Sequence, residues 1–487
     1  MASQINLFEF VKYSWENSKE LELIPDKNKF SNDLENLLDR IWLDRKRFSL
    51  SEDFYDKSKS TNQRFIDFKK NEIVPRNYIG TIHLRSSSAD YTINLLPKLF
   101  HKENYDYTPK EIGSVFAHVL WWLSGSEKQN YFSIDSSMAA MESDFLEILV
   151  YMFSNYTLEV LSASSYNYYE NKSEELETVK GQIEFSRYVK NYAVGNRHKV
   201  PCVFDSFQYD NQFNRIVKFV CTLLRDFTQK KQTKRNLEEI LFILDEIDNY
   251  TVTAEDCDKV VLNPIYTEFK TILDNCKMFL SSLTIYKGKD DYTVFALLIP
   301  SESLFENFIF STLRENLSDL MFKVSRSRPG RTHLVRQLPS LVANRYRMKN
   351  DIVVKLQDKT HIIFDTKYKR IYDTKSREEE DIDPYYNISQ ADIYQMVSYA
   401  VGSGISNIGL IFPQQLNVES HANIPTYEID DAFTEGLVIR IHPFKVDIIH
   451  SNSLELDMNG KLENIFELTK LRLIQQLHDA IRTIMSF

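Results

Sequence analysis

Glycine and cysteine are scarce in this 487-residue chain, which has 12 of the first and four of the second. No glycine is placed to build a Gly-x4-Gly-Lys-Ser/Thr phosphate loop, so nucleotide hydrolysis of that class would have to come from another protein. Cys202, Cys221, Cys257 and Cys276 stand too far apart in sequence for a structural zinc site or a redox dithiol, which points to a reduced, cytoplasmic protein. Eighteen apolar residues never run together, and the first twelve residues carry charges inside any apolar stretch. Secretion and membrane spanning are therefore not expected. Positive charge is also in short supply: 59 Lys and Arg face 69 Asp and Glu, a formal charge of −10. The surface as a whole is no polyanion binder, and any nucleic-acid contact must be local. The ten histidines pair with no Cys or Ser at a recognisable spacing and read as structural.

What is present is an ordinary globular composition, 43% hydrophobic, with length for two to four domains at roughly 100–200 residues each. In residues 1–75, Leu34, Leu37, Leu38, Ile41 and Trp42 keep amphipathic helical spacing, which predicts a small helical cap. Tyr78 to Arg85 and Tyr91 to Pro97 alternate around residues 86–90, the signature of a β-hairpin. From Lys110 to Ser282 the pattern is mainly helical, with Phe213, Ile216, Val217, Val220, Leu223, Leu224 and Phe227 in register, then Leu237, Ile240, Leu241, Leu244 and Ile247. A third helix is expected at Asn263-Pro264, an N-cap followed by proline. The stretch from Asp373 to Asp383 is dense in charge and loop-like. Beyond Ser303 the expected order is a helix over 304–315, apolar residues 320–324, strands at 351–356 and 360–368, a helix from 389 to 401, and a strand at 408–412. The fold class is α+β and multidomain, with an N-terminal β-hairpin/helical region before an α/β core of order αβββαβ. The boundaries are 1–75, 76–290 and 291–487, the last ending in a helix.

The triplet Asp365-Thr366-Lys367 is cheap by itself: Asp44–Lys46, Asp67–Lys69, Glu268–Lys270 and Asp373–Lys375 match the same pattern. Its context is not. His361-Ile362-Ile363-Phe364 makes Asp365 the end of an apolar strand, where period two sends Asp365 and Lys367 to one face. If Gln357-Asp358-Lys359 is the turn, facing residues sum to about 716, and Asp351 stands across from Asp365. Like charges opposed in an antiparallel pair are destabilising unless something compensates. A divalent cation does so: Mg²⁺ suits two carboxylates and the Thr366 backbone carbonyl while keeping several waters, and Mn²⁺ suits the same oxygens. With Lys367 positioning the attacking water, the chemistry is phosphodiester hydrolysis. The competing reading is a solvated hairpin end in which these carboxylates pair with Lys367, Lys369 or Arg370.

On the next helix Ser389 and Asp392 form a capping-box pair, and Asp392, Gln395 and Tyr399 share one polar stripe. Gln390 and Tyr394 repeat the spacing one turn earlier; Gln395 and Tyr399 are preferred as auxiliary groups. Glu306 lies three residues after Ser303, so it is either the third residue of a capping box or an extra ligand, and spacing does not choose. Between Lys323 and Lys349 there are eight basic residues and no acid, among them Arg326, Arg328, Arg331, Arg336, Arg345 and Arg347. In an acidic chain that is either a footprint for double-stranded DNA or a solvated loop.

Several of these pieces, in their order, resemble the PD-(D/E)XK nuclease superfamily and, within it, the McrC nuclease subunits of McrBC-type modification-dependent restriction systems. The resemblance covers residues 76 to 445. It runs through Tyr78-Ile79-Gly80, Ile93 to Lys98, Val179 to Ile183, Asp210 with Asn214-Arg215, and Leu304-Phe305-Glu306. It continues through Asp351-Ile352-Val353, Asp365 to Lys369, and Asp392 to Met396. The proline usual before the first aspartate is Asn350 here. The resemblance implies Asp351 and Asp365 as Mg²⁺ ligands, Lys367 as catalytic lysine, and Gln395, Tyr399 and Glu306 as further candidates. It also implies docking through residues 76–290 on a hexameric McrB-like AAA+ GTPase that binds GTP itself, self-association in the full assembly, and cleavage of modified DNA. Asp210 to Arg215 is a candidate for stimulating the GTPase, although a helix N-cap explains that cluster equally well. A non-cleaving GTPase activator and a stand-alone nuclease are the alternative functions.

Overall fold

A computed structural model describes residues 3–22, 24, 26–48, 63, 65–85, 90–126, 144–262, 267–287, 293–317, 323–326, 333–336, 344–347, 351–356, 361–370, 388–416, 424–429, 438–456 and 462–486. Strands β1 (Ser3–Phe8) and β2 (Tyr13–Ser14) precede helix α1 (Lys27–Phe48), in which Leu34, Leu37, Leu38 and Ile41 are buried at the spacing read from the sequence. Strands β3 (Ile66–Lys69) and β4 (Glu72–Pro75) join β2 in a sheet of order β2-β4-β3. The described residues before 76 thus add short strands to the expected helix. Their strands are short and of mixed polarity, so period two has little room to register.

The expected hairpin is formed by β5 (Tyr78–Arg85) and β6 (Asp90–Leu96), antiparallel, with β1 parallel to β6 on its far side. Gly80 adopts φ +142, and a Cβ there would fall 1.9 Å from the Leu297 carbonyl oxygen. Helix α2 (Pro109–Ser124) opens on a Thr108–Glu111 capping box. Its His118 is fully buried: Nδ1 donates to the Ser114 carbonyl at 2.7 Å and Nε2 accepts the His450 N–H at 3.1 Å. Burial pushes its pKa down to about 3, so the imidazole is a neutral structural bridge.

Helix α3 (Phe145–Ala163) leads to β7 (Tyr168–Leu176), β8 (Gln182–Ile183), helix α4 (Phe185–Ala193) and β9 (Val200–Gln208). These strands form a sheet of order β7-β9-β8 inside the stretch expected to be mainly helical. Residues 173–175 and 177–182 are exposed to water, and a ribbon wet on both faces has no apolar alternation to read. Helices α5 (Gln212–Phe227), α6 (Lys231–Ile243), α7 (Ala254–Asp258) and α8 (Thr267–Ser282) follow, while the expected start at Asn263-Pro264 lies outside the described residues. Asn211 caps α5 by accepting the Asn214 N–H at 3.0 Å. Arg215 forks onto Asp210 at 2.6 and 2.7 Å and lies over the Tyr250 ring. All four cysteines are buried and free.

Strands β10 (Leu283–Lys287) and β11 (Thr293–Pro300) complete a five-stranded sheet, β1-β6-β5-β11-β10. Then come α9 (Ser301–Leu317), β12 (Lys323–Ser325), β13 (His333–Arg336), β14 (Asn344–Arg347), β15 (Ile352–Lys355), β16 (His361–Thr366), α10 (Gln390–Ser403), β17 (Asn407–Pro413), β18 (Tyr427–Ile429), β19 (Ile439–Val446) and α11 (Leu462–Met485). The six-stranded sheet is ordered β12-β15-β16-β17-β19-β18. Up to β17 its members follow the αβββαβ order; the antiparallel β13–β14 pair, inside the basic run, is an addition. Strands β15 and β16 pair in the expected register, Ile352 facing Phe364, whereas β16, β17 and β19 are parallel. Gly409 on β17 leaves room for the Phe364 ring, whose carbons lie 2.4 Å from where a Cβ would stand.

The chain divides into two units, one from residues 1–47, 56–148 and 282–487, the other centred on residues 149–281. That differs from the division at 75 and 290, because β11 pairs with both β5 and β10 and ties late residues to early ones. Among the described residues no helix is long and apolar enough to cross a membrane.

Candidate active site

The antiparallel register brings the start of β15 beside the end of β16. Asp351 Oδ2 accepts the Thr366 N–H at 2.9 Å and the Thr366 hydroxyl at 3.1 Å. Asp365, one residue earlier, is fully buried. Its Oδ2 lies 2.7 Å from Lys367 Nζ, and Oδ1 has no hydrogen-bond donor among the described residues. Burial and then the Asp351 charge push the Asp365 pKa up to about 7, despite the pull of Lys367. Burial works against the charge on Lys367, yet Asp365, Asp392 and Asp351 together leave its pKa above the ordinary value.

Helix α10 closes the other side. Ser389 and Asp392 form the expected capping box, with Asp392 Oδ2 accepting from the Ser389 N–H at 2.9 Å and hydroxyl at 2.7 Å. The same carboxylate takes Lys369 Nζ at 2.6 and 2.9 Å and stands 3.8 Å from Lys367 Nζ. Burial alone would raise the Asp392 pKa, but these donors bring it below the usual carboxylate value. Lys367 Nζ donates to Gln395 Oε1 at 2.8 Å, and Gln395 Nε2 donates to the Tyr399 hydroxyl at 2.6 Å. Burial, and then the charges of Asp365, Asp351 and Glu306, raise the Tyr399 pKa.

The structure therefore brings Asp351, Asp365, Lys367, Gln395 and Tyr399 into one connected cluster and sets Glu306 within electrostatic reach of it. Gln390 and Tyr394 bond to each other on the exposed side of α10. Helix α9 begins at Ser301, so Ser303 lies within its first turn and Glu306 is no capping-box residue. Arg326 is engaged locally: it donates to Asn307 Oδ1, lies 4.6 Å from the Phe310 ring centroid and approaches Glu306 to 3.9 Å. Arg336, Arg345 and Arg347 fall on the β13 and β14 backbone, and Arg328 and Arg331 lie outside the described residues. The expected loop from Asp373 to Asp383 lies outside them too. Two charged neighbours, Asp392 and Lys369, were read from the sequence only as a capping residue on the polar stripe and a candidate ion-pair partner, without a role in the site. Asp392 carried a local capping signal that concealed its tertiary contact, and Lys369 shares the period-two face of Lys367.

Among the described residues no group of three or more His, Cys, Asp or Glu could hold a metal ion. Two carboxylates suffice for Mg²⁺, which takes one or two and otherwise keeps water. The buried Oδ1 of Asp365, with no donor among the described residues, is an oxygen of the kind a hard cation would take.

Comparison with known proteins adds lineage to this geometry. The family model described as "McrBC 5-methylcytosine restriction system component" matches residues 73–413. A "Type IV methyl-directed restriction enzyme EcoKMcrBC" from Escherichia coli (strain K12) is 20% identical over 261 residues, 53% of this chain and 72% of that protein. Among solved structures, a half-complex from the tetradecameric assembly of Thermococcus gammatolerans McrB AAA+ hexamers with bound McrC aligns over 98% of this chain and 99% of the matched one. The TM-score is 0.58 and the identity 16%, a likeness of fold.

Proposed function

Because the chain belongs to the McrBC 5-methylcytosine restriction system component family, we propose that it is the DNA-cleaving subunit of such a system, a Mg²⁺-dependent endonuclease with a PD-(D/E)XK core at residues 291–487. The observation that carries this reading is the buried Asp365, with an unsatisfied oxygen, beside Asp351 and Lys367 at the end of one strand. Asp351, Asp365 and the Thr366 carbonyl would hold the cation, and Glu306, whose charge acts on Tyr399, is assigned as a further ligand through water. The chemistry that a Mg²⁺ held by these residues would supply is a lowered pKa for a water and neutralisation of charge on the phosphate. Lys367 orients the nucleophile and faces the developing negative charge. Gln395, braced by Tyr399, fixes the Lys367 ammonium in direction.

The solved relative pairs McrC with McrB AAA+ hexamers, and we assign this chain a partner of the same kind, a GTPase that carries the nucleotide. Docking is assigned to residues 76–290, where α4 turns Phe185, Val189 and Tyr192 to solvent. Exposed apolar side chains so grouped mark interaction surfaces. The arginines from 326 to 347 are assigned to the DNA backbone, and the duplex cut is methylated DNA.

The test is cleavage of methylated and unmethylated plasmid by this chain, with and without partner, GTP and Mg²⁺. Cutting that needs all three supports the proposal; cutting with Mg²⁺ alone makes the chain an autonomous nuclease, and GTPase stimulation without cutting makes it an activator. Within the site, Gln395→Leu is expected to slow cleavage by about 10- to 100-fold, whereas Gln390→Leu leaves the rate unchanged. Equal rates for both variants would remove Gln395 from the site.

A further inference from the structure

One buried polar cluster has no part in the chemistry proposed above. Glu9, just past β1, and Lys98, just past β6, are almost inaccessible to water. Glu9 Oε2 accepts the Lys98 backbone N–H at 3.1 Å, and Oε1 accepts the Ser301 hydroxyl at 2.5 Å. The Lys98 ammonium lies 4.4 Å from the centroid of the Tyr368 ring and 4.5 Å from that of Phe10. Arg370 donates to the Lys98 carbonyl. Burial raises the Glu9 pKa and lowers that of Lys98, and the attraction between the two offsets part of each cost. Phe10 holds the left-handed φ of 61, uncommon for a bulky residue and kept only where surroundings enforce it.

The neighbouring turn shows what this cluster holds. The Lys369 N–H donates to the Lys367 carbonyl at 2.8 Å, a three-residue turn centred on Tyr368. Side chains therefore leave it in opposite directions. Lys367 reaches Asp365 and Gln395, and Lys369 reaches Asp392. Tyr368 turns the other way, toward Lys98 and the Phe305 ring, with its hydroxyl under the influence of the Glu9 carboxylate.

We infer that Glu9 and Lys98 are positioning residues for Lys367, acting through Tyr368: the buried pair grips the back of the turn whose front presents the site lysine. The inference rests on the nuclease reading for its kinetic consequence, but not for its geometric one. It gives residues before 76 a part in the chemistry of residues beyond 350.

The decisive variant is Glu9→Gln combined with Lys98→Met, which removes both charges and strands neither. With the partner, GTP and Mg²⁺ present, kcat is expected to fall at least about tenfold with KM for DNA unchanged. Independently, in the metal-free chain, acylation of Lys367 followed by peptide mass mapping is expected to run several times faster than in wild type, because its amine is no longer held. Tyr368→Phe keeps the ring and should retain wild-type kcat within about twofold, whereas Tyr368→Leu should behave like the double variant. That pair also decides the matter if the double variant does not fold. Wild-type kcat and wild-type Lys367 protection in the double variant, or in Tyr368→Leu, would overturn the inference. Failure of the wild-type chain to cut DNA would sink the nuclease reading alone, since the acylation rates still test the positioning role.

Discussion

Asp365→Asn is expected to abolish cleavage, by at least about a thousandfold, while making the metal-free chain more stable at pH 8. The sign follows from the position of the group. Burial and the Asp351 charge raise its folded pKa from 3.8 to about 7, so between those values the unfolded chain releases a proton that the folded chain retains. Stability falls as pH rises through this window, and the penalty is complete above 7. Asparagine cannot ionise and escapes it. The attraction of Lys367 is already contained in that folded value, so the gain is about 2–4 kcal/mol. Thermal melting in EDTA should therefore favour the variant at pH 8, with the advantage vanishing near pH 4. Added Mg²⁺ should raise the melting temperature of wild type and leave the variant unmoved. A variant that melts lower than wild type at pH 8 in EDTA, or that responds to Mg²⁺ as wild type does, would remove Asp365 as the ligand.

The second large effect is on folding. Gly80→Ala should destabilise the unit containing β5 and β11 by more than about 3 kcal/mol, measured by urea denaturation. Two causes act together: φ +142 is open to glycine alone, and the new Cβ would sit 1.9 Å from the Leu297 carbonyl oxygen, with the carbonyl carbon at 3.0 Å. A side-chain tip could swing aside, but a backbone atom in the middle of a sheet cannot. Gly113→Ala in α2 is the control. Its Cβ meets nothing within 4 Å, and it should be neutral or stabilising by about 0.5–1 kcal/mol. Similar losses for both would mean that β5 and β11 do not pack as closely as described.

How much could be read in advance depended on whether the signal was local. The β15–β16 register was legible because few residues separate the two strands in sequence and period two fixes the faces. Helix α10 was legible from its cap and polar stripe, but choosing Gln395 over Gln390 needs its buried face, where Met396 and Ala400 pack. Strand β1 draws its burial from β6, more than eighty residues away, and no local pattern records that. The start of α9 was misplaced because Ser301 donates its N–H to Asn77, a distant acceptor that takes the place of a local cap. The chemistry of Asp392 stayed hidden for a similar reason, its capping role being sufficient to explain its presence.

The strand order β5-β11-β10 also sets a timetable for synthesis. When β5 leaves the ribosome its partner β11 is still ~200 residues from being made, some 10–40 seconds at ~5–20 residues per second. Until then the sheet ends on an unpaired β5 edge, with Ile82 and Leu84 awaiting cover, a hazard for aggregation. The helical residues in between have their own core and can form during the wait. Slow translation or a truncation before Thr293 would prolong that exposure, so yield in cells should depend on chaperone supply more than on the stability of the finished protein.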